Sequence, residues 1–208
     1  PNNWQSVFGG SAWEKDDTTG SFYLHSFLAQ QPDLNWRNED VKKAIFADIE
    51  FWLKKGVDGF RLDVVNQYFK DDQFRSNPLK LWGWQYPRPY ELQHHIYDTS
   101  RPEMHPLLKD LRKLLDQYDA TSVGEIIVEY PGDPRKAASY LGDFDELHLA
   151  FDFTVIYQKW SARGFARVFR EWMEDCGERN WQTLVMNNHD QPRSYSRHMK
   201  HGESEERA

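Results

Sequence analysis

The segment Val57-Asp58-Gly59-Phe60-Arg61-Leu62-Asp63-Val64 decides the fold. It is short and largely apolar, follows a helical pattern ending at Lys54-Lys55-Gly56, and carries a cation and an acid two residues apart. Such a run reads as a buried strand ending near Asp63, and period 2 puts Arg61 and Asp63 on one face. Upstream, Val41, Ala44, Ile45, Ile49, Trp52 and Leu53 fall at helical spacing. Asn38 suits the N-cap of that helix, Glu39 and Asp40 its positive start. Downstream, residues 67–104 are irregular and rich in Pro, Trp and Tyr, and a loop that long is functional more often than idle. Pro106 then opens a second helix with Leu107, Leu108, Leu111, Leu114 and Leu115 on one face. Thr121 to Gly124 reads as a strand ending at Glu125, residues 134–141 as a short helix, and residues 146–153 as a strand. Phe165, Val168, Phe169, Trp172 and Met173 mark a third strong helix. A last strand, 183–186, ends at Asn187-Asn188-His189-Asp190. This alternation argues for βαβ units, a parallel sheet and the α/β class. Residues 1–35, broken by Gly9-Gly10, Gly20 and Pro32, read as a long loop or the end of an inserted subdomain.

The chain has 208 residues, 39% hydrophobic, enough for a sizeable core. A net charge of −7 argues against a nucleic-acid partner and suits a neutral substrate. The single cysteine, Cys176, excludes a disulfide framework within the chain. No apolar run reaches the roughly 20 residues that span a bilayer, so no membrane partner is expected. Aromatic residues, 15% of the chain, stack on sugar faces as well as pack cores. The opening Pro1-Asn2-Asn3-Trp4 reads as the interior of a longer protein.

Three expected strands end in an acid: Asp63, Glu125 and Asp190. A carboxylate there stands at the open lip of a parallel sheet, where catalytic groups are placed, although helix caps and solvated loop acids also sit at strand ends. Glycoside hydrolysis fits such a set: one carboxyl stays protonated, another ionised. Arg61 would keep Asp63 ionised. Apolar walls from Ile126, Ile127 and Val128 would raise the pKa of Glu125, as a general acid requires. No metal or cofactor is expected. His94-His95 are adjacent rather than four apart, and there is no HExxH, EF-hand loop, P-loop or dinucleotide fingerprint. Gly9-Gly10-Ser11-Ala12-Trp13 does not form a nucleophile elbow.

Four segments together resemble the α-glucosidases of glycoside hydrolase family 13, the α-amylase family. They are Gln31-Pro32-Asp33-Leu34-Asn35, Gly59-Phe60-Arg61-Leu62-Asp63, Val123-Gly124-Glu125 and Asn188-His189-Asp190, in family order, with a glucosidase-like opening from Asn3-Trp4 to Trp13. The resemblance covers essentially the whole chain. It implies a retaining α-glucosidase on part of a (β/α)8 TIM barrel. Residues 1–35 would be the end of the inserted domain, and 36–208 the central part of the catalytic barrel, truncated at both ends and weak or inactive alone. It implies Asp63 as nucleophile, Glu125 as acid/base and Asp190 as the third acid. His189 would join Asp190 on the sugar's 2- and 3-hydroxyls, and Arg61 would orient Asp63. Retention implies Asp63 and Glu125 carboxyls roughly 5–5.5 Å apart.

Val64, after the nucleophile, would shape the pocket beside the first leaving-group sugar. Valine there is similar to α-1,6-preferring members, whereas the long segment after Asn66 resembles a broader-specificity branch, so α-1,6 and α-1,4 linkages both stay open. A β-branched residue in a buried strand explains the valine equally well. The implied partner is a short oligosaccharide, without nucleic acid or membrane, and the implied location is the bacterial cytoplasm; the sequence sets no oligomeric state. The same resemblance admits a transglucosidase or sucrose isomerase, and a non-catalytic member such as a transporter heavy-chain ectodomain, which the intact acids oppose. A phosphorylated disaccharide would want a Lys/Arg cluster, and none is clear.

Overall fold

A computed structural model describes residues 1–81, 88–127, 133–177 and 181–198. The chain forms two compact units, residues 1–55 with 66–107, and residues 56–65 with 108 onward. The boundary read at residue 35 marks where helical periodicity begins; the compact units divide elsewhere.

In the first unit, β1 (Trp13–Lys15) and β2 (Phe22–Leu24) pair antiparallel, with Trp13 opposite Leu24. Of the two readings of residues 1–35, a long loop or the end of an inserted subdomain, the hairpin departs from the first. Three-residue strands are too short for period-2 alternation to register in the sequence. The hairpin turn is built by Asp16, whose carboxylate accepts from Thr18 N and Thr19 Oγ1, while Gly20 takes φ 72°. Helix α1 (Glu39–Lys54) starts as expected, the Asn38 side chain accepting from Asp40 N. Its apolar stripe is only partly used: Leu53 is buried, while Phe51 and Trp52 are about half exposed.

The Gln31-to-Asn35 motif has a structural use here. Asp33 accepts from Ser26 N and Ser26 Oγ, and lies 3.4 Å from the buried Lys70 ammonium. Burial pushes the Lys70 pKa down, opposed by Asp33 and Asp98. The long segment after Asn66 is pinned by similar knots. Asp71, fully buried, pairs with Arg75 and Arg101, and His95 bonds Asp98 and the Tyr90 carbonyl.

The second unit is a four-stranded parallel sheet in chain order: β3 (Gly59–Leu62), β4 (Thr121–Gly124), β5 (Leu149–Asp152) and β6 (Thr183–Leu184). These are the four expected strands, β4 with the expected bounds and the other three shorter. Close approach of β3 to β4 needs Gly59, because a Cβ there would lie 2.3 Å from Thr121 O. Helix α2 (Met104–Asp116) starts two residues before Pro106, so the proline does not open it. First-turn N–H groups have no helical partner, which is why proline fits inside that turn as well as at its start.

Helix α3 (Pro134–Ala138) runs into a 3-10 turn over Ser139–Leu141, as the short helix read over 134–141 expects. Helix α4 (Ala162–Cys176) buries Val168 and Trp172 completely, whereas Phe169 and Met173 of the expected stripe stay partly exposed. The core lies between sheet and helices, with Leu108, Leu111, Leu115, Ile126, Leu147 and Ala150 all at or below 5% exposure. A second cluster, Phe153, Ile156 and Val185, closes the β5–β6 end. Helix α5 (Ser194–His198) follows the last strand. Among the described residues no helix is long and apolar enough to cross a membrane.

Candidate active site

The β3–β4 register pairs Leu62 with Gly124, so the next residues of both strands, Asp63 and Glu125, leave the sheet side by side. Backbone bonds continue past the strand ends: Glu125 N donates to Leu62 O, and Val65 N to Glu125 O, both at 2.9 Å. Gly124 leaves room behind the acid for the buried Leu147, whose Cδ1 would lie 2.4 Å from an added Cβ.

Arg61 joins the two acids. Its Nη1 donates to Asp63 Oδ1 at 2.7 Å and its Nη2 to Glu125 Oε2 at 2.5 Å. The expected Arg61–Asp63 pairing on one strand face is present; the fork to Glu125 was not foreseen. The two carboxyls differ sharply in solvent access, with 70% of the Asp63 side chain exposed against 9% for Glu125. Burial first, then a hydrogen bond with Asp63, pushes the Glu125 carboxyl up to about 7, against the pull of the Arg61 cation. The charges of Asp63 and Asp190 add to the rise. Ile126, one of the expected apolar neighbours in sequence, is fully buried. Val128 lies outside the described residues. This arrangement can hold one acid protonated beside an ionised one near neutral pH.

Asp190 comes within electrostatic reach of Glu125 from the turn after β6. His189 Nε2 lies 3.4 Å from Asp190 Oδ2, and both side chains are exposed. The spacing of the sequence gave no sign of the groups that hold this turn. Asn187 Oδ1 accepts from Ser194 N at 2.7 Å, and Arg197 donates to Met186 O at 2.6 Å and to Ile156 O at 3.2 Å. These are side-chain bonds to backbone of other segments, which no local periodicity encodes.

Val64 is not the strand residue the sequence suggests. It lies beyond β3, is 8% exposed, and takes φ 45°. Among the described residues no group of three or more His, Cys, Asp or Glu side chains is placed to hold a metal ion. His95 is engaged by Asp98 instead.

The chain is 38% identical over 209 residues to a probable alpha-glucosidase of Rhizobium meliloti, covering 95% of this chain and 37% of that protein. It is 36% identical to an oligo-1,6-glucosidase of Parageobacillus thermoglucosidasius, covering 95% of this chain and 36% of that one. The crystal structure of the alpha-glucosyl transfer enzyme XgtA superposes with a TM-score of 0.85 at 39% identity, over 95% of this chain and 37% of that chain. The chain thus spans just over a third of the length of these relatives. The family model described as alpha amylase, catalytic domain, matches residues 1–208. The chain belongs to the alpha-amylase catalytic-domain family, and β3 to β6 are part of its (β/α)8 barrel.

Proposed function

We propose that this chain carries the reacting centre of a retaining α-glucosidase that hydrolyses terminal α-glucosidic bonds, α-1,6 or α-1,4, of short oligosaccharides. The observation that carries the reading is the Arg61 fork between an exposed Asp63 and a buried Glu125 whose ionisation is raised to about 7. Asp63 attacks the anomeric carbon as Glu125 gives its proton to the departing glycosidic oxygen. The C1–O bond breaks and a covalent β-glucosyl ester forms on Asp63. Glu125, now ionised, takes a proton from water. The water oxygen bonds to C1 and the ester to Asp63 breaks, restoring both groups and the original anomeric configuration.

Arg61 holds Asp63 in place through its 2.7 Å bond. Asp190 and His189 take the sugar's 2- and 3-hydroxyls, bonds that strengthen as the ring distorts. Val64, buried, shapes the first leaving-group subsite through the path of the chain. The location assigned is the bacterial cytoplasm, which fractionation of the source cells tests.

Trapping with a fluorinated glucosyl fluoride, which slows breakdown of the ester, tests the chemistry. Peptide mapping is expected to place the sugar on Asp63. A label on another residue overturns the assignment, as does no label together with an ordinary titration of Glu125. The likeness to an alpha-glucosyl transfer enzyme favours a second reading, in which a sugar hydroxyl replaces water in the second step. Product analysis on sucrose and maltose separates the two, since transfer yields new glucosides and hydrolysis yields glucose.

A further inference from the structure

Arg61, Leu62, Asp63, Val64 and Val65 do not keep the alternation of a strand. Arg61 and Asp63 face the open side, and period 2 would put Val65 with them. Instead Val65 is fully buried, directly after the buried Val64. The backbone shows why. Where the ladder is regular, Gly59 faces Thr121, and Thr121 N donates to the residue before Gly59, Asp58 O. By the same rule Glu125, opposite Asp63, donates to Leu62 O, as observed, and should accept from the residue after Asp63, Val64 N. The Glu125 carbonyl accepts from Val65 N instead. One residue too many lies between the two bonds, and that residue has φ 45°. For a β-branched side chain this left-handed backbone is an outlier, and it persists only where its surroundings impose it.

We propose that Val64 is a positioning residue: the extra residue of a bulge, held left-handed by the two backbone bonds that bracket Glu125, which keeps the face beside Asp63 open. Bulges bend a strand and re-aim its side chains, and barrel rims beside active sites favour them. Here the bulge turns Val65 inward, onto Gly124, where its Cγ2 would be 3.2 Å from an added Cβ. Without it, the Val65 side chain would stand on the face of Arg61 and Asp63. In naming Asp63 and Glu125 as the reacting pair, the inference rests on the proposed function.

The test compares Val64→Gly with Val64→Ala in the full 208-residue chain. At ordinary φ, alanine is the more stable of the two; at positive φ, glycine is. The glycine variant is expected to melt above the alanine variant, and the reverse order overturns the bulge. Carbon-13 titration of the Glu125 carboxyl reads the positioning role. Val64→Gly, which keeps the left-handed backbone, should titrate as the parent does. Val64→Pro, with φ fixed near −65°, should titrate lower, towards an ordinary glutamate, as Asp63 moves away. An unchanged titration in a folded Val64→Pro chain overturns the positioning role; if that variant does not fold, the glycine–alanine order decides. None of these readouts needs turnover, so a trapped sugar on a residue other than Asp63 would sink the proposed function, whereas a reversed glycine–alanine order would sink the bulge alone.

Discussion

Replacing Arg61 with methionine removes the cation from between Asp63 and Glu125, with much of its apolar stem retained. Two carboxyls that already interact would then face each other without a partner, so one must hold its proton more tightly. Glu125 is that one, because it is buried while Asp63 is exposed. A charge pair at roughly 4 Å interacts by about 4 kcal/mol at an effective dielectric of 20. Arg61 is 41% exposed, and its bond to Glu125 is 2.5 Å. Solvent screening on that side cuts the interaction to about 1–2 kcal/mol. That corresponds to roughly one pKa unit. Glu125 should therefore titrate about one unit above its present value near 7. The sign carries to stability. A carboxyl raised on folding stabilises the chain fully below its unfolded pKa, and that contribution is lost as pH rises through the folded value. Arg61→Met should extend the stabilised window upward. Carbon-13 titration of Glu125 reads the shift directly, with Arg61→Lys as an intermediate case because it keeps a cation but not the rigid planar fork whose two nitrogens reach the two acids. The pH–rate profile should show the basic limb moving up while the maximal rate falls. A Glu125 titration that stays put or moves down would refute the electrostatic reasoning.

Glu125→Gln removes the proton donor and should lower kcat/KM by about 10²–10⁴, most for poor leaving groups, as steady-state kinetics on aryl and alkyl glucosides would show. Gly124→Ala forces a methyl against the buried Leu147, so overpacking should cost about 1–3 kcal/mol in a urea melt. Trp172→Ala empties a fully buried site on α4 and should cost about 3–5 kcal/mol by the same assay. His148 Nδ1 accepts from Ser122 N at 3.1 Å and lies 3.0 Å from Ser122 Oγ, a staple between the β4 and β5 segments that needs a neutral ring. Burial first, then Arg112, lowers its pKa, against Asp116. Its contribution is therefore full above the unfolded histidine value, about 6.5, and is lost as pH falls through the lowered folded value. Urea midpoints at pH 7.5 and 5 should differ more for the parent than for His148→Asn.

Local order was legible where one residue type did one local job. Asn38 announced the start of α1, and the apolar runs before Asp63, Glu125 and Asn187 announced three strands, with the candidate acids after them. Caps and periodicities act within a few residues, so the chain writes them openly. The hairpin of β1 and β2 was missed because three residues per strand leave no period to read. Pro106 misled by two residues because a whole first turn tolerates proline.

The sequence by itself determined that this is an α/β chain with acids at the ends of parallel strands, and its four motifs determined the family. Tertiary structure alone decided what those acids are to each other. Arg61 reaches Glu125 across 64 residues of chain, and Arg197 fixes the turn of Asp190 through the carbonyls of Met186 and Ile156. Val64, an ordinary strand valine in the sequence, became a left-handed bulge because register with β4 bonds Val65, not Val64, to Glu125. Such features depend on which strands pair and in what register, and that is settled by the packing of the whole sheet rather than by any neighbouring residue.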